Sequence, residues 1–156
     1  MNQTKLLMKN KTVLITGATS GLGKATAFLL AQAGVFLILL GRNEKRGEKL
    51  CRQIKQKIRT ERVKFYRADF TLMKEVKIAA QKIRNDFEKI DVLINNAGGR
   101  FIEHSISEEG IEQTLAVNYL SHFLLTDLLL DSLTQSGSGR IINISSSTHY
   151  SSKGII

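Results

Sequence analysis

Short apolar runs rich in valine, isoleucine and leucine recur along this chain, each followed by a longer segment whose apolar residues return at helical spacing. That alternation constrains the fold more than any other feature. Strands are predicted at Val13 to Thr16, Phe36 to Leu40, Val63 to Arg67, Val92 to Asn95 and Arg140 to Ser145. Helices are predicted at Leu22 to Ala33, Glu44 to Arg59, Met73 to Phe87, and as one long element from Glu108 to Leu133. Strands that are apolar on both faces and joined by helices belong in a parallel sheet covered on both sides. Right-handed crossovers then make the fold a doubly wound α/β sheet. The 156 residues, 42% of them hydrophobic, suffice for one domain with a sizeable core, and no composition break divides them. Gly34 is predicted to end the first helix in a left-handed conformation, and Ser107 to precede the long helix with Glu108 and Glu109 near its positive pole.

The first strand runs directly into Thr16-Gly17-Ala18-Thr19-Ser20-Gly21-Leu22-Gly23 and then into a helix. Glycine between a first strand and a first helix permits a tight turn, close approach of a pyrophosphate and tight helix-on-strand packing. The amide groups of Gly21, Leu22 and Gly23 then stand at a helix N-terminus, where phosphate oxygens are bound. A tight structural turn is the alternative reading of the glycines by themselves.

The spacing Gly-x-x-x-Gly-x-Gly, followed in order by Asp69, Asn95-Asn96-Ala97-Gly98, Asn118 and Ile142-Asn143-Ile144-Ser145-Ser146, resembles the short-chain dehydrogenase/reductase family. The stretch from Val117 to Thr126 is similar to its retinol dehydrogenase-like branch. The resemblance implies a Rossmann-type domain over residues 1–156 and a nicotinamide dinucleotide as partner. It further implies that Gly17, Thr19, Ser20, Gly21, Leu22 and Gly23 cradle the phosphates, that Asp69 and the backbone of Phe70 hold the adenine, and that Asn95, Ala97 and Gly98 line the groove. Enzymes that use NAD carry an acidic residue after the second strand; here Gly41 is followed by Arg42, whose guanidinium suits a 2′-phosphate. The expected cofactor is NADP(H) in preference to NAD(H). A solvated Arg42 at a helix start, and Asp69 as a turn or cap residue, remain the alternatives.

By the same resemblance the activity is hydride transfer between NADP(H) and a small lipophilic alcohol or carbonyl substrate. Ser146, or Ser145 beside it, matches the serine that positions the substrate oxygen. Asn118 matches the helix residue whose backbone holds a relay water. The family's Tyr-x-x-x-Lys pair is not found: Tyr150-Ser151-Ser152-Lys153 has one residue too few between the two. The expectation is therefore a C-terminally incomplete domain, inactive alone, with a non-catalytic NADP(H)-binding or partner-binding module as the alternative. A sheet ending at the fifth strand also leaves an apolar edge, open to self-association. His122, like His104 and His149, reads as a packing or surface histidine.

Net charge is +9, but most of the excess is concentrated between Lys45 and Arg67, interleaved with Glu44, Glu48 and Glu61. That pattern describes a solvated helix face, and without aromatic interleaving or a recognition module no nucleic-acid partner is expected. No metal-ligand set, signal peptide or transmembrane segment is read from the sequence. The single Cys51 cannot form an internal disulfide, so a cytoplasmic setting is expected. Proline is absent, against about eight expected at ordinary usage of ~5%, and nothing in the sequence accounts for it.

Overall fold

The computed structural model describes residues 7–146. Elements alternate as the apolar pattern requires: β1 (Thr12–Thr16), α1 (Gly21–Gln32), β2 (Phe36–Gly41), α2 (Glu44–Ile58), β3 (Val63–Arg67), α3 (Met73–Asp86) and β4 (Val92–Asn95). A broken helical region follows, made of α4 (Gln113–Leu115), a π-helical turn (Ala116–Leu120), α5 (Ser121–Leu128) and α6 (Leu130–Thr134), before β5 (Arg140–Asn143). The five strands form one parallel sheet in the order β3-β2-β1-β4-β5. The chain starts in the middle of the sheet, winds outward to β3, then crosses back to β4. This places a topological switch point between the carboxyl ends of β1 and β4, where ligands bind in such sheets.

Period-two alternation along the strands divides the core into two layers. Val13, Ile15, Leu37 and Leu39 face Ala27, Ala31, Leu50 and Ile54 of α1 and α2. Leu14, Ile38, Leu40 and Leu93 face Val76, Ala80 and Ile83 of α3, and Leu125 of α5. Gly34, at φ +81°, follows α1 as the left-handed residue expected there. At the foot of the sheet the buried Asp91 accepts from Lys11 Nζ at 2.8 Å and from the Thr12 amide at 2.7 Å.

The single long helix expected from Glu108 to Leu133 is corrected by the structure. Gly110, at φ +75°, turns the chain back on itself, and Ile106 bridges Glu112 antiparallel. Ser107 Oγ accepts weakly from the amides of Glu109 and Ile111, both at 3.3 Å, and so closes a turn rather than a helix. Glu112 is the true cap, accepting from the amides of Thr114 and Leu115 at 2.8 and 2.7 Å. Glu109 caps a different helix: its carboxylate takes the amides of Met73 and Lys74 at the start of α3, at 2.6 and 3.0 Å. A carboxylate at a positive helix end is well placed, and those amides hold the Glu109 carboxyl below its ordinary range.

Among the described residues strand β5 pairs with β4 alone, and Ile141 and Ile142 on it, with Ile144 just after it, are exposed. The basic α2–β3 region is partly neutralised by the pairs Arg52–Glu48, Lys55–Glu61, Lys64–Asp86 and Arg67–Glu75. Cys51 is a half-buried free thiol on α2, and burial pushes its pKa upward. No helix among the described residues is long and apolar enough to cross a membrane.

Candidate active site

A cleft of about 700 Å³ opens at the switch point, within the usual range of ~300–1,000 Å³ for small-molecule sites. Its walls come from four loops at the carboxyl ends of β1 to β4. Gly17, Thr19, Ser20, Gly21, Leu22 and Gly23 form one wall, Gly41 and Arg42 the next, Asp69 and Phe70 the third, and Ala97 and Gly98 the fourth.

The first wall is shaped by what it lacks. A Cβ built on Gly17 would lie 2.7 Å from the Ala97 Cα, and Gly17 also holds φ at +64°. A Cβ on Gly23 would lie 2.5 Å from both the Gly17 carbonyl oxygen and Asn96 Nδ2. Only glycine lets the two loops and α1 come this close. Ser20 sits at the N-cap of α1 in extended conformation, yet its side chain makes no capping bond. Its hydroxyl and the first amides of α1 are left for a ligand, and the helix dipole favours a negative one.

Beneath this wall Thr16 ties β1 to β4. Its hydroxyl oxygen, fully buried, accepts from the amides of Asn96 at 2.9 Å and Ala97 at 2.8 Å. Asn96 Nδ2 returns a bond to the Thr16 carbonyl at 2.9 Å. These bonds fix the Asn96–Gly99 loop against the glycine-rich turn.

On the second wall, Arg42 and Arg46 both line the cleft, four residues apart across the start of α2, where Asn43 caps the helix through the Arg46 amide at 2.9 Å. Both are exposed, and neither pairs with a carboxylate among the described residues. The sequence pattern placed Arg46 on the solvated helix face, and the structure puts it in the cleft wall instead. The available signal was its position one helical turn beyond Arg42.

On the third wall, Asp69 Oδ1 accepts from the amide and hydroxyl of Thr71 at 3.0 and 2.8 Å, and the Asp69 amide donates to Glu75 at 2.7 Å. Asp69 thus organises a turn while lining the cleft. Its second oxygen accepts no hydrogen bond among the described residues.

Asn95 does not line the cleft. Leu93 faces the α3–α5 layer, so by alternation Asn95 does too, and it is buried there. Its Nδ2 donates to Thr126 Oγ1 at 3.2 Å and to Asn143 Oδ1 of β5 at 2.8 Å. Asn96 takes the place in the cleft wall that was expected of Asn95. Asn118 lies on the π-helical turn, where its side-chain amide pairs with Gly99 in both directions: Oδ1 accepts from the Gly99 amide and Nδ2 donates to its carbonyl, each at 3.0 Å. Ser146 follows β5, beyond Ile144 of the cleft lining. Tyr150, Lys153 and His149 lie outside the described residues. His122 is a half-buried packing residue: its ring meets Phe70 edge-on at 5.7 Å, and its Nε2 lies 3.4 Å from Thr16 Oγ1.

Comparison with known proteins gives a consistent result. The sequence model described as short chain dehydrogenase matches residues 11–154. Mouse retinol dehydrogenase 13 is 40% identical over 146 residues, covering 94% of this chain and 44% of that protein. A short chain dehydrogenase from Salmonella enterica superposes with a TM-score of 0.82 at 28% identity, over 99% of this chain and 65% of that one. An alcohol dehydrogenase from the archaeon Thermococcus sibiricus, complexed with 5-hydroxy-NADP, gives a TM-score of 0.74 at 30% identity, over 86% of this chain and 57% of that one. The chain therefore spans less than half the length of the retinol dehydrogenase that it matches.

Proposed function

The chain belongs to the short-chain dehydrogenase family, and from that premise we propose that its cleft binds NADP(H) in preference to NAD(H). We further propose that the protein it represents transfers hydride between that cofactor and a lipophilic alcohol or carbonyl compound. The observation carrying the cofactor reading is the pair of guanidiniums, Arg42 and Arg46, without carboxylate partners among the described residues, on the wall beside a glycine cradle. An unpaired cation next to a helix N-terminus is suited to phosphate, and a guanidinium can take two phosphate oxygens at once. An acidic residue in place of Gly41 or Arg42 would repel a 2′-phosphate.

In this reading the amides of Gly21, Leu22 and Gly23 and the Ser20 hydroxyl hold the pyrophosphate, while Arg42 and Arg46 hold the 2′-phosphate. Thr19 joins the phosphate cradle, the free oxygen of Asp69 and the Phe70 backbone receive the adenine, and Ala97 and Gly98 flank the ribose and nicotinamide. When bound, the nicotinamide supplies or accepts the hydride. Ser146 orients the substrate oxygen, and Asn118 contributes its backbone carbonyl to the proton path, roles taken from the family pattern. The retinol dehydrogenase and the NADP-type complex among the relatives support the substrate class and the cofactor.

Titrating the protein into NADPH and following nicotinamide fluorescence, then adding retinaldehyde and monitoring NADPH consumption, tests both parts. Saturable binding with aldehyde-dependent consumption would support both parts. Binding without consumption would leave a cofactor-binding module, and neither would refute the reading.

A further inference from the structure

We infer that Phe101 is a specificity-determining residue of the cleft: with Val117 and Ile144 it forms an apolar wall that takes the hydrocarbon body of the alcohol or carbonyl substrate. The inference rests on the proposed cofactor and substrate class, and it names the part of the cleft that selects a lipophilic partner.

The sheet order divides the cleft into two unlike halves. On the β2–β3 side the lining is charged and polar, with Arg42, Arg46 and Asp69. On the β4–β5 side three apolar side chains line it: Phe101 from the loop after β4, Ile144 just after β5, and Val117 from the π-helical turn. The glycine cradle after β1 lies between the two halves. Cofactor phosphates are drawn to the cradle and the arginines and gain nothing from the apolar wall. A hydrocarbon gains from it in proportion to the surface it buries. Ile144 is 45% exposed, and Phe101 and Val117 are half-buried, so apolar surface is there to be covered.

The loop that carries Phe101 is held at three places. Its ring rests on Gly99, where an added Cβ would lie 3.3 Å from the Phe101 Cζ, and Gly99 is bonded in both directions by the Asn118 side chain. Further along, the Gln113 amide donates to the Ser105 carbonyl at 2.9 Å. At the tip, Glu109 fastens the loop to the first amides of α3. A wall fixed in this way loses little freedom when a ligand covers it, so more of the buried area is realised as affinity. Ile102 and Ile106 sit on the same loop and are 87% and 54% exposed, but neither lines the cleft. They serve as internal controls.

Methyl resonances of isoleucine- and valine-labelled protein, saturated with NADPH and titrated with n-butanol, n-hexanol and n-octanol, test the wall directly. Cofactor and alcohol are then both reduced, so no hydride moves. Ile144 and Val117 should shift saturably while Ile102 and Ile106 do not, and affinity should rise about two- to fourfold per added methylene. Phe101→Ser should weaken octanol about tenfold, flatten the dependence on chain length and leave NADPH affinity within about twofold, whereas Phe101→Leu should keep most of the octanol affinity. Shifts confined to Ile102 and Ile106, affinity independent of chain length, or an equal loss of NADPH in Phe101→Ser would overturn the inference. NADPH binding with no response to any alcohol sinks the inference alone; a wild-type protein that binds no NADPH removes the cofactor reading and the inference with it.

Discussion

Replacing Thr16 by valine removes one oxygen from the junction that holds the cleft together and changes little else in shape. The oxygen is fully buried and is the acceptor for two amides, Asn96 at 2.9 Å and Ala97 at 2.8 Å. Each buried donor left without an acceptor costs about 1–3 kcal/mol, so two would cost about 2–6 kcal/mol. Asn96 and Ala97 are only half-buried, and water reaching their amides brings the expectation to about 2–4 kcal/mol. Against a total stability of ~5–15 kcal/mol, that is a substantial fraction. With a urea slope of ~1–3 kcal/mol/M the unfolding midpoint should fall by about 1–2 M, followed by far-ultraviolet circular dichroism. Thr16→Ser keeps the oxygen and gives up one methyl group, a loss of about 1 kcal/mol. If valine stays within ~0.5 kcal/mol of the wild type, or serine is as damaging as valine, the bonding of Thr16 to the Asn96–Gly99 loop does not contribute as described.

Gly23→Ala places a methyl group 2.5 Å from the Gly17 carbonyl oxygen and from Asn96 Nδ2. It should cost about 1–3 kcal/mol by overpacking and abolish saturable NADPH binding, read by thermal melting and fluorescence titration. Arg42→Ala should weaken NADPH about ten- to a hundredfold through loss of a charge-assisted phosphate contact while leaving NADH affinity within about twofold. Arg46→Ala should act in the same direction, both measured by calorimetry. For Asp91, burial pulls the carboxyl pKa upward, but the Lys11 ammonium and the Thr12 amide outweigh it and the net shift is downward. A depressed folded value means that its contribution is complete above the unfolded value of ~3.9 and is lost as pH falls through the folded one. Asp91→Asn should therefore destabilise the protein at neutral pH and flatten the decline below about pH 4, as chemical denaturation at a series of pH values would show.

How much of this could be read from the sequence follows from which interactions are local. The strands were legible because Val13–Thr16, Phe36–Leu40 and Val92–Asn95 are apolar on both faces, a pattern that only a covered parallel sheet accommodates. The cradle was legible because its glycines lie between the first strand and first helix. The broken helix was not. Ser107-Glu108-Glu109 has the composition of a helix start, but Gly110 turns the chain and Glu109 is drawn to amides at Met73 and Lys74, more than thirty residues away. Local propensity cannot report a capping partner that distant. Asn95 and Asn96 differ only in which side of the strand they leave, and the two-residue alternation assigns them once Leu93 is known to face α5. The contact of His122 with Thr16 carried no sequence signal, because Thr16 lies on β1, more than a hundred residues away, and only the fold brings the two together.

Preference for NADP(H) requires that the wall carrying Arg42 and Arg46 be a 2′-phosphate site. Calorimetric titration with 2′-phospho-ADP-ribose and with ADP-ribose isolates that site from the nicotinamide end and from any catalytic group. The phosphorylated ligand should bind at least about tenfold more tightly, a difference of ~1.4 kcal/mol or more, and the gap should close in Arg42→Ala. Equal affinities for the two ligands, or tighter binding of ADP-ribose, would contradict it.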